Sequence, residues 1–299
     1  MKTKGKILTF TTALMMMASI LTGCSGSGSS SSAAETTTAA ATTTAAASSE
    51  STAEMGPAMK RIKESGKLVM GTASGYVPYE FVDINSTDLA IIGVDVALGQ
   101  KIADKLGVKL EVSDMVFSGL IAAISTDKVD IGIAGMTATD ERRQSIDFSD
   151  VYLHASQSIL IRKTDLEKFT TLESLSGAKV AVQKSTSQEK LATDLMAGAE
   201  IVSLDKVPNC VLELLANKAD AVVIEDTVAQ PYLISNPDLC LATVEFPEER
   251  RYKTSNIGVN KGNEDLIAVV NEVIAECSND GSMEKWIQEY SEIAAKNAK

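Results

Sequence analysis

From residue 67 onward the chain alternates short apolar runs with amphipathic segments of helical spacing. Apolar runs predict buried strands, and apolar residues three or four positions apart predict helices with one face in the core. Alternating strands and helices predict parallel sheets with right-handed crossovers. In chain order the patterns predict a strand at 67–73, a helix at 91–106 that stops at Gly107, a strand at 109–113, a helix capped by Ser118, and a strand at 129–134.

The same order of elements occurs a second time. Strands are predicted at 179–182, 200–204 and 220–224, with helices at 187–196 and 209–215 between them. The helix-to-strand junctions also correspond, since Lys128-Val129-Asp130 resembles Lys218-Ala219-Asp220. Two such units predict an α/β protein with two lobes and a cleft between them. The alternative is that any two α/β segments share this general likeness.

The C-terminal region, from about residue 263 to 292, predicts two amphipathic helices. We expect them to pack on the first lobe, so that the chain crosses between the lobes twice. The folded part then divides into 55–154 as the first part of lobe 1, 155–250 as lobe 2, and 251–299 as the C-terminal part of lobe 1. A hinge is expected near 154–156 and 248–252.

The first residues have the composition of an export signal. Lys2, Lys4 and Lys6 precede an apolar stretch of about 15 residues, shorter than the roughly 20 that a membrane span needs. Residues 1–23 are therefore predicted to be a signal peptide. The region 24–54 is nearly all Ser, Thr, Ala and Gly after its first residue, so we expect a disordered linker that cannot bury a core.

The segment Leu21-Thr22-Gly23-Cys24 resembles the lipobox of bacterial lipoproteins. That resemblance implies cleavage before Cys24 and a lipid on its sulfur. The protein would then be anchored by its N-terminal lipid to the outer face of the cell membrane. The alternative is an ordinary secreted signal with an incidental cysteine.

Charge and residue counts exclude several classes of function. The 299 residues carry a formal net charge of −12, whereas proteins that bind nucleic acids need clustered Lys and Arg, so no nucleic-acid partner is expected. The single histidine, His154, excludes a histidine-cluster metal site, and we predict neither a metal nor a cofactor. Cys210, Cys240 and Cys277 are expected to be buried free thiols, with a Cys210–Cys240 disulfide as the alternative.

The loop after the strand at 129–134 carries the first candidate binding residues, because ligands of open α/β sheets bind beyond the carboxyl ends of strands. Gly135 lets the backbone approach a ligand, and Thr139 is placed to cap a helix that carries Arg142. The planar guanidinium of Arg142 matches a carboxylate. The alternative for Arg142 is a solvated surface charge.

Two further loops follow predicted strands of the second unit. Thr186 and Glu189 have the spacing of a capping box, and the free N–H groups of that helix start form an anion site. Asp226 either caps the next helix or pairs with a bound ammonium group. A guanidinium, an N–H-rich loop and a carboxylate together indicate an α-amino acid as the ligand.

From about Lys67 to its end the chain resembles the family 3 solute-binding proteins, the polar amino acid receptors of ABC importers. The run from Gly135 to Arg142 is the most specific part of the resemblance. The matching stretches are Leu68-Val-Met-Gly-Thr, Gly93-Val-Asp-Val-Ala, Phe117-Ser-Gly-Leu-Ile, Lys128-Val-Asp-Ile-Gly-Ile-Ala-Gly-Met-Thr-Ala-Thr-Asp-Glu-Arg-Arg and Val182-Gln-Lys-Ser-Thr-Ser.

The resemblance implies a two-lobed periplasmic-binding-protein-like fold of type II, with a mostly parallel sheet and flanking helices in each lobe and two hinge crossings. It also implies a receptor that binds a free α-amino acid in the cleft and delivers it to the permease subunits of an ABC transporter. We expect a monomer whose lobes close over the ligand.

The resemblance also implies roles for single positions around the ligand backbone. Arg142 would hold the ligand carboxylate, while Asp226 and the carbonyl of Gly135 would take the ammonium group. The residues expected to assist Arg142 are Thr137, Thr186 and Ser187.

Four positions would contact the ligand side chain. Tyr76 and Phe117 fall where the family places aromatic rings on either side of it, with core packing as the alternative. Gln183 and Glu225 fall where the family sets side-chain selectivity.

One position departs from the family pattern. Members that bind basic amino acids often carry Asp where this chain has Ala73, so a polar or uncharged amino acid is favoured, although Glu225 offers a compensating carboxylate. Glu80 and Asp83 are expected to be solvated or hinge-side charges.

An enzyme is the alternative function, because some exported dehydratases acting on cyclic amino-acid precursors share this bilobal fold. Such an enzyme needs a general acid in the cleft, for which Glu225 and Asp226 are the candidates. No nucleophile–base pair or metal set can be recognised in the sequence, so we expect no enzymatic activity.

Overall fold

A computed structural model describes residues 55–297 of the chain. The predicted signal peptide, Cys24 and the linker up to residue 54 lie outside the described residues, as do residues 298–299. The described residues belong to one structural unit of mixed α/β structure. Within this part of the chain, no helix has the length and apolar character needed to cross a membrane.

Strands and helices alternate along residues 55–297, as the sequence pattern predicts. The strands are β1 (Lys67–Thr72), β2 (Phe81–Val82), β3 (Ile91–Ile92), β4 (Lys109–Asp114), β5 (Ile131–Gly132), β6 (Ile146–Arg162), β7 (Lys179–Gln183), β8 (Glu200–Leu204), β9 (Ala221–Glu225), β10 (Leu239–Leu241) and β11 (Tyr252–Asn260). The helices are α1 (Pro57–Ser65), α2 (Val94–Leu106), α3 (Phe117–Ser125), α4 (Asp140–Arg143), α5 (Ser187–Leu195), α6 (Val207–Leu215), α7 (Asp226–Ser235), α8 (Glu248–Arg251), α9 (Glu264–Asn279) and α10 (Ser282–Asn297).

The main sheet consists of two mostly parallel halves joined by the long strand β6. Its strand order is β4-β1-β5-β11-β6-β9-β7-β8, and β10 also pairs with β6. β1 is parallel to β4 and β5, and β7 is parallel to β8 and β9. β6 pairs antiparallel with β11 up to Ser156 and antiparallel with β9 from Gln157 onward. The predicted α/β architecture, with a mostly parallel sheet in each half, is confirmed.

The two similar helix-to-strand junctions, which end in Asp130 and Asp220, make equivalent hydrogen bonds in the two halves. Asp130 accepts a hydrogen bond from the backbone N–H of Val69 in β1 at 2.8 Å. Asp220 accepts one from the backbone N–H of Lys179 in β7 at 2.9 Å. Asp130 thus connects the start of β5 to β1, and Asp220 connects the start of β9 to β7. The similarity between the two sequence units therefore corresponds to equivalent hydrogen bonds in the structure.

Three predicted helix starts are wrong. The helix predicted from residue 209 begins at Val207. The helix predicted from residue 91 begins at Val94, because Ile91–Ile92 pairs with β2 and Gly93 has a φ of 137°. The helix predicted to be capped by Ser118 begins at Phe117, and its N-cap makes no side-chain hydrogen bond. The predicted stop of α2 is confirmed, since Gly107 follows it in the left-handed conformation with a φ of 71°.

The two C-terminal helices form the predicted amphipathic pair. α9 packs on α2 and β6, as expected for a helix that returns to the first half of the sheet. α10 contacts α2 and α9 but also α7, which follows the last strand of the second half. The C-terminal helix therefore touches elements of both halves.

All three cysteines within residues 55–297 are free thiols. Cys210 and Cys277 are buried, as expected, while Cys240 is half-buried. The alternative of a Cys210–Cys240 disulfide is therefore wrong.

Candidate functional site

A partly enclosed cavity lies where loops from the strand ends of the two halves meet. All the predicted binding residues except Glu225 and Asp226 line it. Those lining residues are Tyr76, Phe117, Gly135, Thr137, Arg142, Gln183, Thr186 and Ser187. The lining also includes Ala73, Glu80, Ala134, Gln188 and Lys253.

Arg142 is held in the cavity wall by its own short helix and by both halves of the sheet. Thr139 caps α4 as predicted, since its hydroxyl oxygen accepts a hydrogen bond from the Arg142 backbone N–H at 3.2 Å. The guanidinium donates from Nη1 to the Thr137 carbonyl and from Nη2 to the Ser185 carbonyl, each at 2.8 Å. It lies 5.1 Å from the ring centroid of Phe117. Burial lowers the pKa of Arg142 from its ordinary value.

The start of α5 brings a second set of polar groups into the wall. The Thr186 hydroxyl accepts a hydrogen bond from the Glu189 N–H at 3.2 Å, which confirms the predicted cap. The Glu189 carboxylate in turn accepts a hydrogen bond from the Ser185 N–H at 2.7 Å, not from the N–H of Thr186 as in a standard capping box. The Thr186 hydroxyl also donates to the Gln183 carbonyl at 2.6 Å. These bonds fix the turn between β7 and α5 that forms this side of the cavity.

Lys253 is a lining residue that the sequence patterns did not identify. Its Nζ donates to the Gly135 carbonyl at 2.7 Å and forms an ion pair with Glu225, which is 1% exposed. The Tyr76 hydroxyl donates to the same carboxylate and accepts from Gln188 Nε2 at 3.1 Å. Glu225 therefore contacts three residues of the cavity lining, Lys253, Tyr76 and Gln188. Its carboxylate is already bound by donor groups of the protein itself.

A second buried acidic group lies on the opposite side of Gly135. Asp95 Oδ2 accepts hydrogen bonds from the Gly135 N–H at 3.0 Å and from the Tyr152 hydroxyl at 2.9 Å. Burial raises the pKa of Asp95 to about 6 and raises the pKa of Glu80 well above its ordinary value. Glu80 also hydrogen-bonds to Asp95. A neutral Glu80 that donates its proton to Asp95 accounts for the buried oxygens Glu80 Oε2 and Asp95 Oδ1, which otherwise have no partner in the described part of the chain.

The expectation that Glu80 is a solvated or hinge-side charge is wrong. Glu80 is 1% exposed and lines the cavity, because its backbone carbonyl accepts from the N–H groups of Gly75 and Tyr76 and folds this segment inward. Asp83 is half-buried in the turn before β3, where it accepts from the Asn85 N–H at 3.0 Å.

Asp226 does not line the cavity in this structure. It is the first residue of α7, and its carboxylate accepts a hydrogen bond from the Ser158 hydroxyl. Its alternative role as a side-chain cap of α7 is wrong, since the N-cap position belongs to Glu225. The expected contact between Asp226 and a ligand ammonium group has no support from the cavity lining.

The cavity adjoins a wider groove between the two halves. The groove also contains Gln157, whose buried Oε1 has no hydrogen-bond partner within residues 55–297. Five residues line both the cavity and the groove: Thr137, Arg142, Thr186, Ser187 and Lys253. Within residues 55–297, no cluster of His, Cys, Asp and Glu side chains has the arrangement of a metal site.

Comparisons with known proteins give a consistent result. Residues 68–293 match the family model of the bacterial extracellular solute-binding proteins, family 3. The arginine-binding extracellular protein ArtP of Bacillus subtilis (strain 168) is 33% identical over 226 residues, which cover 74% of this chain and 86% of ArtP. The L-cystine-binding protein TcyJ of Escherichia coli (strain K12) is 28% identical over 232 residues, which cover 76% of this chain and 85% of TcyJ.

A solved structure gives the same comparison in three dimensions. The amino acid ABC transporter substrate-binding protein AbpA from Streptococcus pneumoniae Canada MDR_19A, bound to L-arginine, superimposes with a TM-score of 0.76 at 31% identity. The match covers 79% of this chain and 99% of AbpA.

Proposed function

This chain belongs to family 3 of the bacterial extracellular solute-binding proteins and has their periplasmic-binding-protein-like fold, and we propose that it binds a free α-amino acid in the cavity and delivers it to the permease subunits of an ABC transporter. The observation that carries the proposal is the half-buried guanidinium of Arg142, fixed by the Thr137 and Ser185 carbonyls in the cavity wall. A charge placed in a desolvated wall binds an opposite charge through strong hydrogen bonds.

The ligand backbone is proposed to lie between Arg142 and Gly135. Arg142 binds the carboxylate, and the Gly135 carbonyl, which has two lone pairs and receives one donor from Lys253, accepts from the ammonium group. Asp226 is assigned no ligand contact, since Ser158 binds its carboxylate outside the lining. The hydroxyl groups proposed to assist at the carboxylate are those of Thr137, Thr186 and Ser187.

The ligand side chain is proposed to be polar or uncharged. Tyr76 and Phe117 offer aromatic surface in the lining, and Gln183 offers an amide. Ala73 contributes no charge to the cavity wall. Relatives named for arginine and for cystine show that the family receives ligands of different side-chain charge.

Ligand binding is proposed to hold the two halves closed. Arg142 on the first half donates to Ser185 on the second, and Gln188 donates to Tyr76 across the same gap. A ligand that contacts both walls favours the closed state by its differential affinity. The proposed lobes are 55–154 with 251–299, and 155–250. These boundaries are supported by the change of β6 partners after Ser156, close to the first boundary, and by the junction of α8 and β11, close to the second.

The N-terminal segment is proposed to be a cleaved signal ending in a lipid-modified Cys24, which tethers the receptor to the outer face of the membrane through the linker. The support is the sequence Leu21-Thr22-Gly23-Cys24. Expression of Cys24→Ser in a bacterial host should move the protein from the membrane fraction to the medium or periplasm. Equal membrane association of the parent and Cys24→Ser would contradict the anchor.

A dehydratase activity is not proposed. Glu225, one of the two candidate general acids, is ion-paired with Lys253 and accepts from the Tyr76 hydroxyl, and Asp226, the other candidate, lies outside the cavity lining. The relatives named above are binding proteins.

A thermal-shift panel of the common amino acids tests the proposed function. A ligand at about one hundred times its dissociation constant stabilises the folded state by about 2.7 kcal/mol, which is a readily measured increase in melting temperature. We expect at least one amino acid to produce this increase. If none does, the proposed ligand class is wrong.

A further inference from the structure

The cavity wall contains a cation that belongs to the protein itself. Lys253, near the start of β11, is 8% exposed, and its ammonium group contacts the Gly135 carbonyl and the Glu225 carboxylate. The same ammonium group lies 5.8 Å from the ring centroid of Tyr76. Its position is therefore determined by three different partners.

These three partners are the chemical groups that recognise a ligand cation. A carboxylate supplies a charge-assisted hydrogen bond, a backbone carbonyl supplies a further acceptor, and an aromatic face attracts a cation through its quadrupole. Glu225 is buried, so its charge requires a partner inside the protein. In this chain Lys253 is that partner, and a ligand cation would have to displace it or share one carboxylate with it.

Glu80 and Asp95, the other carboxyl groups described near the cavity, cannot replace Glu225 as the partner of a ligand cation. Glu80 lines the cavity, but it is buried and hydrogen-bonded to Asp95, and burial raises its pKa, which favours the uncharged form. Asp95 is also bound by the Gly135 N–H and the Tyr152 hydroxyl. Arg142 and Lys253 are the two cationic residues among the described lining residues. A second cation from the ligand side chain would thus meet two like charges and one carboxylate that is already paired.

We propose that Lys253 determines ligand specificity by occupying the cation subsite formed by Glu225, the Gly135 carbonyl and Tyr76, so that the protein binds amino acids with an uncharged side chain in preference to arginine or lysine. This assignment rests on the proposed function and names the selectivity of the same cavity. It separates this chain from the relatives that are named for arginine.

The first test uses the parent protein. Calorimetric titration with arginine and with the uncharged amino acid that gives the largest thermal shift should show at least about tenfold weaker binding of arginine. Equal or tighter binding of arginine overturns the specificity assignment while the proposed function stands. Failure of the parent to bind any common amino acid overturns the proposed function, and the assignment fails with it.

The second test changes the ion pair of Lys253 and Glu225. Lys253→Ala opens the subsite and leaves Glu225 for a ligand cation, so the affinity ratio of arginine to the uncharged amino acid should rise by at least about tenfold. Lys253→Ala/Glu225→Gln removes both charges, avoids a buried unpaired carboxylate and should lose this gain. Lys261→Ala is the matched control, because Lys261 forms an exposed ion pair with Asp147 at 3.1 Å just after β11. The proposal is overturned if the affinity ratio of arginine to the uncharged amino acid still rises in the double variant. It is also overturned if this ratio is unchanged in a folded Lys253→Ala protein.

Discussion

Glu80 is a carboxyl group whose protonation state follows from its surroundings. It is buried beside Asp95, and desolvation is the largest cause of its raised pKa. The folded state therefore binds a proton that the unfolded chain releases above its ordinary pKa of about 4.5. The stabilising contribution of this proton is complete below that value and is lost progressively as the pH rises towards the folded-state pKa.

Replacing Glu80 with glutamine should remove this contribution to the pH dependence of stability. Glu80→Gln keeps a donor for Asp95 but does not titrate, so the parent should lose stability relative to the variant as the pH rises above about 4.5, by up to about 1.4 kcal/mol per pH unit. Urea unfolding at several pH values from 5 to 8 measures the difference.

Glu289→Gln, on the exposed face of α10, is the control and should show no comparable trend. A parent-minus-variant stability for Glu80→Gln that stays constant with pH would contradict the neutral buried carboxyl group.

Single residues differed in how far the sequence could predict their position. Arg142 was predictable because a strand end, a capping threonine and a guanidinium follow one another within a short stretch of chain. Lys253 was not, because its contact with Glu225 depends on β11 lying beside β6, and the partners are distant in sequence. The pairing of Glu80 with Asp95 depends in the same way on a non-local contact.

The junction before α2 is the element that turns the Tyr76–Glu80 segment towards the cavity. Gly93 has a φ of 137°, and a Cβ built there would lie 2.1 Å from the carbonyl oxygen of Tyr79. The N–H groups of Val94 and Asp95 donate to the carbonyls of Pro78 and Tyr79. This close approach leaves room for glycine alone.

Gly93→Ala should therefore destabilise the protein by about 3 kcal/mol or more, since it adds both backbone strain and a clash with backbone. Gly107→Ala is the control: φ is also positive there, at 71°, but a Cβ would meet nothing within 4 Å. That change should cost only about 1–2 kcal/mol. Equal losses for the two variants in denaturant unfolding would argue against the crowding at Gly93.

Elements with a strong local pattern were predicted from the sequence, and those defined by long-range pairing were not. β1, β4 and β8 follow directly from their apolar runs. β6 was not predicted, although it extends from Ile146 to Arg162 and links both halves, because its buried residues change from even to odd positions between Tyr152 and Ala155 and so have no single alternating period. The short pair of β2 and β3 carries too few residues for a recognisable period.

At the scale of the whole molecule, a contact of Lys206 outside the cavity lining also joins the two halves. Lys206, which precedes α6 in the second half, donates to the Ser74 hydroxyl at 3.1 Å and to Asp114 at 3.2 Å in the first half. About a third of each charged side chain is exposed, at 35% and 34%, so the contribution of this bridge is modest.

Lys206→Ala should shift the molecule towards the open state and weaken amino-acid binding by up to about fivefold, corresponding to the 0.2–1 kcal/mol of an exposed ion pair. Small-angle scattering of the unliganded protein should show a larger radius of gyration for the variant. Lys105→Ala, which removes ion pairs to Glu272 and Glu276 between α2 and α9, should change neither quantity. If Lys206→Ala and Lys105→Ala behave alike, the contact of Lys206 with Ser74 and Asp114 does not favour closure.

The proposed function depends on a small zwitterion binding to Arg142 in the cavity. Calorimetric titration of the parent, Arg142→Ala and Arg143→Ala with the amino acid that stabilises the parent most is the most direct measurement. Arg143, the neighbouring and exposed arginine over the Phe148 ring, is the matched control and should bind like the parent. Arg142→Ala should bind at least about a hundredfold more weakly, because the ligand carboxylate loses its charged donors. Binding by Arg142→Ala at the parent's affinity would contradict the account.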